Sequence, residues 1–406
     1  MTPAPLAGCR IIELGTMLAA PFAAHILSQL GAEIIKVEPP AGDPTRSLVR
    51  GGPSGTFIAY SHGKKSVCID LSKAEGRDAF AKLLQTSDAL VHNLSPKAAR
   101  KLKLTREDVE AINPKLIYCH IRGYGPGPQS DDLASNPVAE ASTGVMESNR
   151  VNGRPSRLGP SYHDQFAGAY AVIGILAEML QMQQGKPAAP VEVGLYETGL
   201  HVASRDLVGV QLKQQLLGRP EREPHGEFAM PGYGAYQTKD ERWIYLLMLS
   251  DAHWQKFSQA LQLGQDESLA TLRQRKKARE QVESMVRAAV AQRSYDAVAA
   301  SLASAGVGFT EVMPIERVLE SPHARHGAKL RHMGYRGYRF EVPEFPRVHD
   351  PDANPATLAP PELGEHTAAV LQAAGVNAEH YDAMLRASAI GEAAAGAFAW
   401  APVRRP

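Results

Sequence analysis

The chain has 406 residues, 44% hydrophobic and 21% charged, with a formal net charge of +1. That length exceeds one compact core and points to two or three domains, and the composition excludes wholesale disorder. A near-neutral balance excludes a broad field for nucleic acid or anionic lipid, so an anionic ligand must be held by a local site.

The first two hundred residues alternate short apolar runs with helical spacing. RIIEL (10–14) reads as a buried strand. Residues 21–30 follow as a helix with Pro21 in its first turn and Gly31 at its close. Further strands are expected at 33–37, 66–70, 89–92 and 116–121, and helices at 73–85 and 106–112. This alternation predicts an α/β fold, a Rossmann-like parallel sheet covered on both faces.

A long apolar helix is expected at 165–182, beginning right after Asp164, then a strand at 191–195 and a helical stretch over 197–217. No apolar stretch approaches the ~20 residues that span a bilayer. Polar, proline-bearing GRPEREPHG breaks the chain at 218–226. GYGAYQTKDERWIYLLML (232–249) then reads as a hairpin with its tip at 239–241. Helices at 251–261, 277–293 and 295–305 and a strand at 308–314 complete a smaller α+β domain. Beyond about Arg336 the chain is proline-rich and extended, ending in helices at 365–374 and 378–389 and an Ala-rich tail. The domain reading is therefore 1–217 as a large α/β domain, 218–231 as a linker, 232–335 as the small domain, and 336–406 as a return segment whose helices pack on the large domain.

Cys9, Cys68 and Cys119 all lie in apolar, strand-like stretches without metal-ligand spacing. Buried, reduced thiols of a cytoplasmic protein are expected, and the N-terminus lacks the pattern of a signal peptide. No GxGxxG fingerprint supports a dinucleotide site.

Asp164 lies between the Gly159-Pro160 turn and the apolar helix, at or near a helix N-cap. Aspartate is a favoured cap, and that role needs no chemistry. The same place suits a nucleophile, because helix N-terminal amides favour a carboxylate, and a carboxylate can attack an activated acyl carbon. The small residues Ala167, Gly168 and Ala169 would let a bulky ligand approach.

Eight phrases in order carry a wider resemblance: LGTMLAAPFAAHILSQLGAEIIKVEPPAGDPTR (14–46), HGKKSVCIDLSKAEGR (62–77), DALVHNLSP (88–96), INPKLIYCHIRGYGPGP (112–128), the Asp164 segment, VEVGLYETGL (191–200), GYGAYQT (232–238) and LGEHT (363–367). Together they resemble the family III coenzyme A transferases, the group containing formyl-CoA transferase and the carnitine CoA transferases. The resemblance implies that Asp164 attacks the donor thioester, forms an aspartyl acyl anhydride, takes CoA as an aspartyl thioester, and passes it to an acceptor acid. It implies no metal and no tightly bound cofactor, with the coenzyme A thioester as substrate. Leu18, Ala19, Asn93, Leu94, Ala98 and Lys101 match positions around the coenzyme, and Lys64 and Lys65 match a basic pair for its 3′-phosphate. The family's basic residue after the Glu38 strand is replaced by Pro39 and Pro40. Glu140, Gly232 and Tyr233 match positions near the catalytic aspartate, with Met230 a further shield. The long glycine-rich loop of formyl-CoA transferase is here only Gly232-Tyr233-Gly234.

The wording of 14–46 resembles the branch acting on short dicarboxylates (succinate, mesaconate, itaconate), and also mesaconyl-CoA C1–C4 transferase, which moves CoA within one molecule. Arg46, Arg50, Arg122, Arg150 and Arg157 are the candidates for holding a second carboxylate. The related α-methylacyl-CoA racemases carry a His-Asp pair where this chain reads Ala134-Ser135-Asn136-Pro137, which argues against racemisation. Retention of Asp164 in its setting disfavours a non-catalytic acyl-CoA-binding protein. The resemblance also implies an interlocked homodimer, in which each chain forms a ring threaded by the other.

Overall fold

The structure, a computed structural model, describes residues 4–49, 53–218, 230–264, 266–326, 330–346 and 359–393. In chain order the elements begin with β1 (Arg10–Leu14), α1 (Ala19–Gln29), β2 (Glu33–Glu38), α2 (Gly55–Ser61), β3 (Lys65–Ile69), α3 (Ala74–Gln85) and β4 (Ala89–His92). They continue with α4 (Pro96–Leu102), α5 (Arg106–Glu110), β5 (Ile117–Arg122), α6 (Asn136–Ser142), α7 (Val145–Ser148), β6 (Arg150–Val151) and β7 (Arg154–Pro155). Then come α8 (Tyr162–Gln183), β8 (Val191–Gly194), α9 (Leu195–Val202), α10 (Ser204–Leu217), β9 (Gly234–Gln237), β10 (Trp243–Leu247), α11 (Asp251–Ala260), α12 (Leu272–Lys277), α13 (Arg279–Ala291) and α14 (Tyr295–Ala305). The chain closes with β11 (Gly308–Glu311), α15 (Pro322–His326), β12 (Leu330–Tyr335), β13 (Tyr338–Pro343), α16 (Thr367–Ala373), α17 (Ala378–Arg386) and β14 (Ile390–Gly391).

Two compact units divide this chain. The first takes in Met1–Glu147, Ser156–Arg205 and Lys329–Pro406. Its seven-stranded sheet has the order β14-β3-β2-β1-β4-β5-β8, parallel throughout except for β14 at the edge. Strand alternation sends neighbouring isoleucines to opposite faces. Ile12 and Ile35 join a core with Phe80 and Leu83 of α3 and Leu371 and Met384 of the C-terminal helices. Ile11 and Ile34 join a second core with Ala23 and Leu27 of α1 and Ala171 and Ile175 of α8. Burial on both faces is why these strands read as continuous apolar runs.

By length and composition α8 is apolar enough to cross a membrane, contrary to the sequence reading. In this structure one face of it, with Ala167, Gly168, Ala171, Val172 and Ile175, is buried in the second core, while Ile173 and Leu180 are exposed. Gly168 is required: a Cβ there would lie 2.7 Å from the carbonyl oxygen of Ala19.

The second unit takes in Ser148–Pro155 and Asp206–Ala328. Its antiparallel sheet β11-β10-β9 packs Ile244 and Leu246 against Phe257, Val282, Val286 and Leu302. Most of the linker expected at 218–231 lies outside the described residues.

Several elements were not expected from the sequence, among them α2, α4, β14 and a hairpin. Residues 330–343 form the hairpin β12–β13 within the first unit. Its two-residue turn, Arg336-Gly337, has φ of 50° and 81°. Positive φ at both central positions is what a tight hairpin demands, and Gly337 supplies one at no steric cost. The boundary drawn at 335/336 falls in this turn.

Candidate active site

Asp164 is not the residue before α8, as the sequence reading had it, but its third residue. Ser161, at the N-cap, makes no side-chain capping bond. The cap comes from Asn136, the first residue of α6. Its Oδ1 accepts the backbone N–H of His163 at 2.9 Å and that of Asp164 at 3.3 Å. Its Nδ2 donates to Glu140 Oε1, and Glu140 Oε2 accepts the Leu158 N–H at 3.1 Å. Asn136 is 2% exposed and Glu140 0%, so Glu140 is not the surface residue that its helical setting would suggest.

The helix N-terminus favours an ionised carboxylate. Burial works the other way and wins: it pushes the Asp164 carboxyl up to about 6, with Arg157 opposing and Glu140 adding to the rise. Asp164 is thus ionised at neutral pH but poorly solvated. Its neighbour His163 is buried and held neutral, since burial lowers its pKa against the pull of Glu140. Thr143 Oγ1 lies 3.4 Å from His163 Nε2.

A cleft of about 200 Å³ opens at the C-terminal ends of β1 to β4, lined among others by Gly15, Thr16, Pro39, Leu71, Leu94 and Leu102. Strand order reverses between β1 and β4, the position at which open α/β sheets bind ligands. Asn93 ties the loop after β1 to that after β4, donating to Thr16 O at 2.8 Å and accepting the Thr16 N–H at 3.0 Å. Leu18 stands at the N-cap of α1 and Ala19 opens it. The Ala98 N–H donates to Ser95 Oγ at the start of α4, and Lys101 is exposed on that helix.

The structure does not bring Lys64 and Lys65 to this cleft. Lys64 is wholly buried, its ammonium 2.5 Å from Glu13 Oε2 and 2.9 Å from Pro21 O. Lys36 Nζ meets Glu13 Oε1 at 2.7 Å, Asp43 at 2.8 Å and Gly15 O at 3.1 Å. A lysine taken out of water needs such partners. Lys65 opens β3 and pairs with Glu33, which opens β2, so this pair lies at the opposite end of the sheet from the cleft.

Gly232 and Tyr233 belong to the second unit. The Gly232 N–H donates to Glu283 Oε1 at 3.0 Å, Tyr236 OH donates to Glu283 Oε2 at 2.6 Å, and Tyr233 stands edge-on to Tyr245. Tyr233 N–H donates to Met230 O. The short glycine segment is thus anchored as a hairpin entry, beside a cleft of about 520 Å³ lined by Tyr233, Trp243, Tyr245 and Arg287.

Of the arginine candidates, Arg46 is engaged by Glu38 and stacks on Phe57 at 4.1 Å. Arg122 faces Glu192 at 3.6 Å. Arg150 lies in the second unit. Arg50 is outside the described residues. Arg157 is the one whose charge acts on Asp164. Among the described residues no cluster of His, Cys, Asp or Glu could hold a metal ion. Cys68 and Cys119 are buried, Cys9 is partly so, and all three are free thiols.

Asn136 and the Glu13–Lys36–Lys64 network went unread in the sequence. Asn136 opens its own helix, and nothing local signals a partner 27 residues away.

The profile of CoA-transferase family III matches residues 6–367. The chain is 29% identical to succinyl-CoA–D-citramalate CoA-transferase of Chloroflexus aurantiacus, over 79% of this chain and 81% of that one. It is 28% identical to succinyl-CoA:mesaconate CoA-transferase of Haloarcula hispanica, over 62% of this chain and 66% of the relative. Among solved structures it resembles a CAIB/BAIF family protein from Brucella suis, with a TM-score of 0.81, 26% identity, and coverage of 92% of this chain and 100% of the other.

Proposed function

The chain belongs to CoA-transferase family III, and from that premise we propose that it moves coenzyme A between C4–C5 dicarboxylic acids through covalent intermediates on Asp164. The carrying observation is a carboxylate in the first turn of α8, ionised at neutral pH yet stripped of much of its water. Its oxygen attacks the thioester carbonyl of the donor, the C–S bond breaks, and the CoA thiolate leaves. The thiolate then attacks the Asp164 carbonyl of the anhydride and releases the donor acid. The acceptor carboxylate attacks this aspartyl thioester, the thiolate leaves again, and its attack on the new acyl carbon frees Asp164. No step takes up or releases a net proton.

The cleft at the β1–β4 strand ends, lined by Leu94 and by Thr16, which Asn93 holds, supports a coenzyme site there; Leu18, Ala19, Ala98 and Lys101 are not among its lining residues. The relatives' names, succinyl-CoA with citramalate or mesaconate, support short dicarboxylates as substrates. Arg157, whose charge reaches Asp164, is the cation for the second substrate carboxylate. The stretch Ala134-Ser135-Asn136-Pro137, which matches the racemases' His-Asp pair, holds no side chain that can abstract a proton. Intramolecular C1–C4 transfer on mesaconyl-CoA is the second reading; the mesaconate-named relative supports the C5 skeleton it needs, although its own name describes transfer between two molecules. A homodimer in a cytoplasmic setting completes the proposal. The homodimer part of it is supported by α10, which buries none of its residues and exposes Val208, Leu212 and Leu216.

A panel of CoA donors and acceptor acids, read by mass spectrometry with hydroxylamine trapping, tests this reading. Succinyl-CoA with C4–C5 diacids should turn over, hydroxylamine should modify Asp164, and Arg157→Met should erase the preference for diacids over monoacids. Conversion of mesaconyl-C1-CoA without added acid would select the intramolecular reading. Turnover with no label on Asp164 would sink the covalent mechanism.

A further inference from the structure

Two backbone N–H groups in the first turn of α8 converge on one side-chain oxygen from another helix. The orphan donors of a helix start are ordinarily satisfied by the helix's own N-cap residue. Here Ser161 occupies that position and does not cap. The acceptor is instead Asn136, which is itself gripped: Glu140 accepts from its amide nitrogen, and Glu140 is pinned by the Leu158 N–H. All of these groups are buried or partly buried. The chain Leu158–Glu140–Asn136 therefore ends on the peptide that carries the Asp164 side chain.

We propose that Asn136 is the positioning residue of this enzyme: its amide oxygen fixes the first turn of α8 and so aims the Asp164 carboxylate at the thioester carbon. This rests on the proposed role of Asp164 as nucleophile. The bond fixes the backbone from which the carboxylate projects, so its loss acts on orientation in the reacting complex more than on affinity for the coenzyme. A misplacement of ~1 Å at a reacting group costs about 100-fold in rate. The amide also brings no charge of its own. A carboxylate at this position would keep the acceptor but would add a negative group beside Glu140 and Asp164. An imidazole would offer a base.

The charges around Asp164 define what a pH profile reports. Glu140 of α6 and Arg157 ahead of α8 act on it directly. His163 on its own helix and His25 on α1 are held neutral by burial. On α9, Glu197 accepts the Gly125 N–H and His201 meets Tyr170 OH. Arg122 of β5 and Glu192 of β8 pair with each other, and His120 of β5 is bonded to Leu94 O. The acid limb of kcat/KM is thus expected to follow Asp164.

The test uses Asn136→Ala and Asn136→Asp in the full-length enzyme, with kcat, KM and the acid limb measured from pH 5 to pH 8.5. Asn136→Ala should lower kcat by roughly 10- to 100-fold with KM for the CoA ester changed less than about 3-fold. Its acid limb should move down, because water reaches a loosened Asp164. Asn136→Asp keeps the acceptor but loses the amide N–H that Glu140 accepts, so it should recover part of kcat near pH 8.5, with its acid limb no lower than that of the unsubstituted enzyme. An alanine variant with unchanged kcat overturns the proposal. So does an aspartate variant no better than alanine at any pH, whether through misfolding or inactivity. If hydroxylamine labels Asp164 while these variants behave as the parent enzyme, only this inference fails; if Asp164 is never labelled, the covalent mechanism fails first.

Discussion

Two of the places where the first unit buries ionisable groups differ in how far partners offset that burial. Between β1, β2 and β3, Glu13 and Asp43 face Lys36 and Lys64, each ammonium holding a carboxylate and a carbonyl oxygen. Burial disfavours the Lys36 charge, but Glu13 and Asp43 outweigh it and its pKa is raised. Burial of Asp43 is likewise overcome by Lys36 and Thr45, so its carboxyl stays below the usual range. At the start of α8 there are two carboxylates, Glu140 and Asp164, and burial of Asp164 is not overcome. Lys36, whose carboxylates outweigh its burial, secures Gly15, and Lys64 secures Pro21 in the first turn of α1, although burial prevails over Glu13 there and brings the Lys64 pKa down to about 8. An under-compensated charge is available for chemistry, in keeping with the tendency of perturbed pKa values to gather at functional sites.

Three substitutions would break or sharpen that contrast. Asp164→Ala should cut transfer by roughly ten-thousandfold or more while CoA esters still bind, as loss of a covalent nucleophile does. Turnover within tenfold of the parent enzyme would place the chemistry elsewhere. Glu13→Gln removes the charge that both buried lysines share, and should cost about 3–5 kcal/mol of stability in denaturant unfolding. A cost below about 1 kcal/mol would mean that the network is not compensated as described.

The smallest effect has the opposite sign. The folded pKa of Asp164, about 6, lies above the ~3.9 of an unfolded aspartate. The folded state therefore loses stability as pH rises from about 4 to about 6, because the unfolded chain ionises first. Asp164→Asn should then be more stable than the parent by about 1–2 kcal/mol at pH 7.5 and no more stable near pH 4. An unaltered difference across that range would remove the burial argument.

How legible these two places were in the sequence follows from the range of the interactions. The strands were readable because a sheet buried on both faces demands unbroken apolar runs such as RIIEL and EIIKV. The hairpin 330–343 had its signal in Arg336-Gly337, flanked by residues that alternate between the two faces, but the prolines further along masked it. That Asp164 stands at the start of a helix was legible from its setting, although not its depth in the helix, because the cap arrives from Asn136 on another element. Lys64 looked like a surface cation because lysines nearly always are. Its partner Glu13 lies 51 residues earlier in the chain, and no local pattern joins them.

The edge strand β14 bears on how the protein is made. Ile390 and Gly391 pair with Ile69 and Cys68, the Asp70 N–H donates to Ala389 O, and Lys73 donates to Ala387 O. The β3 edge thus leaves the ribosome early, yet its covering strand comes from the far end of the chain. At 5–20 residues per second, the interval is on the order of tens of seconds. Throughout it, a parallel sheet presents an unpaired, apolar-flanked edge, the kind of surface that recruits other strands. A nascent chain of this protein is therefore a natural client for chaperones, and one that stops short of β14 keeps that edge for good.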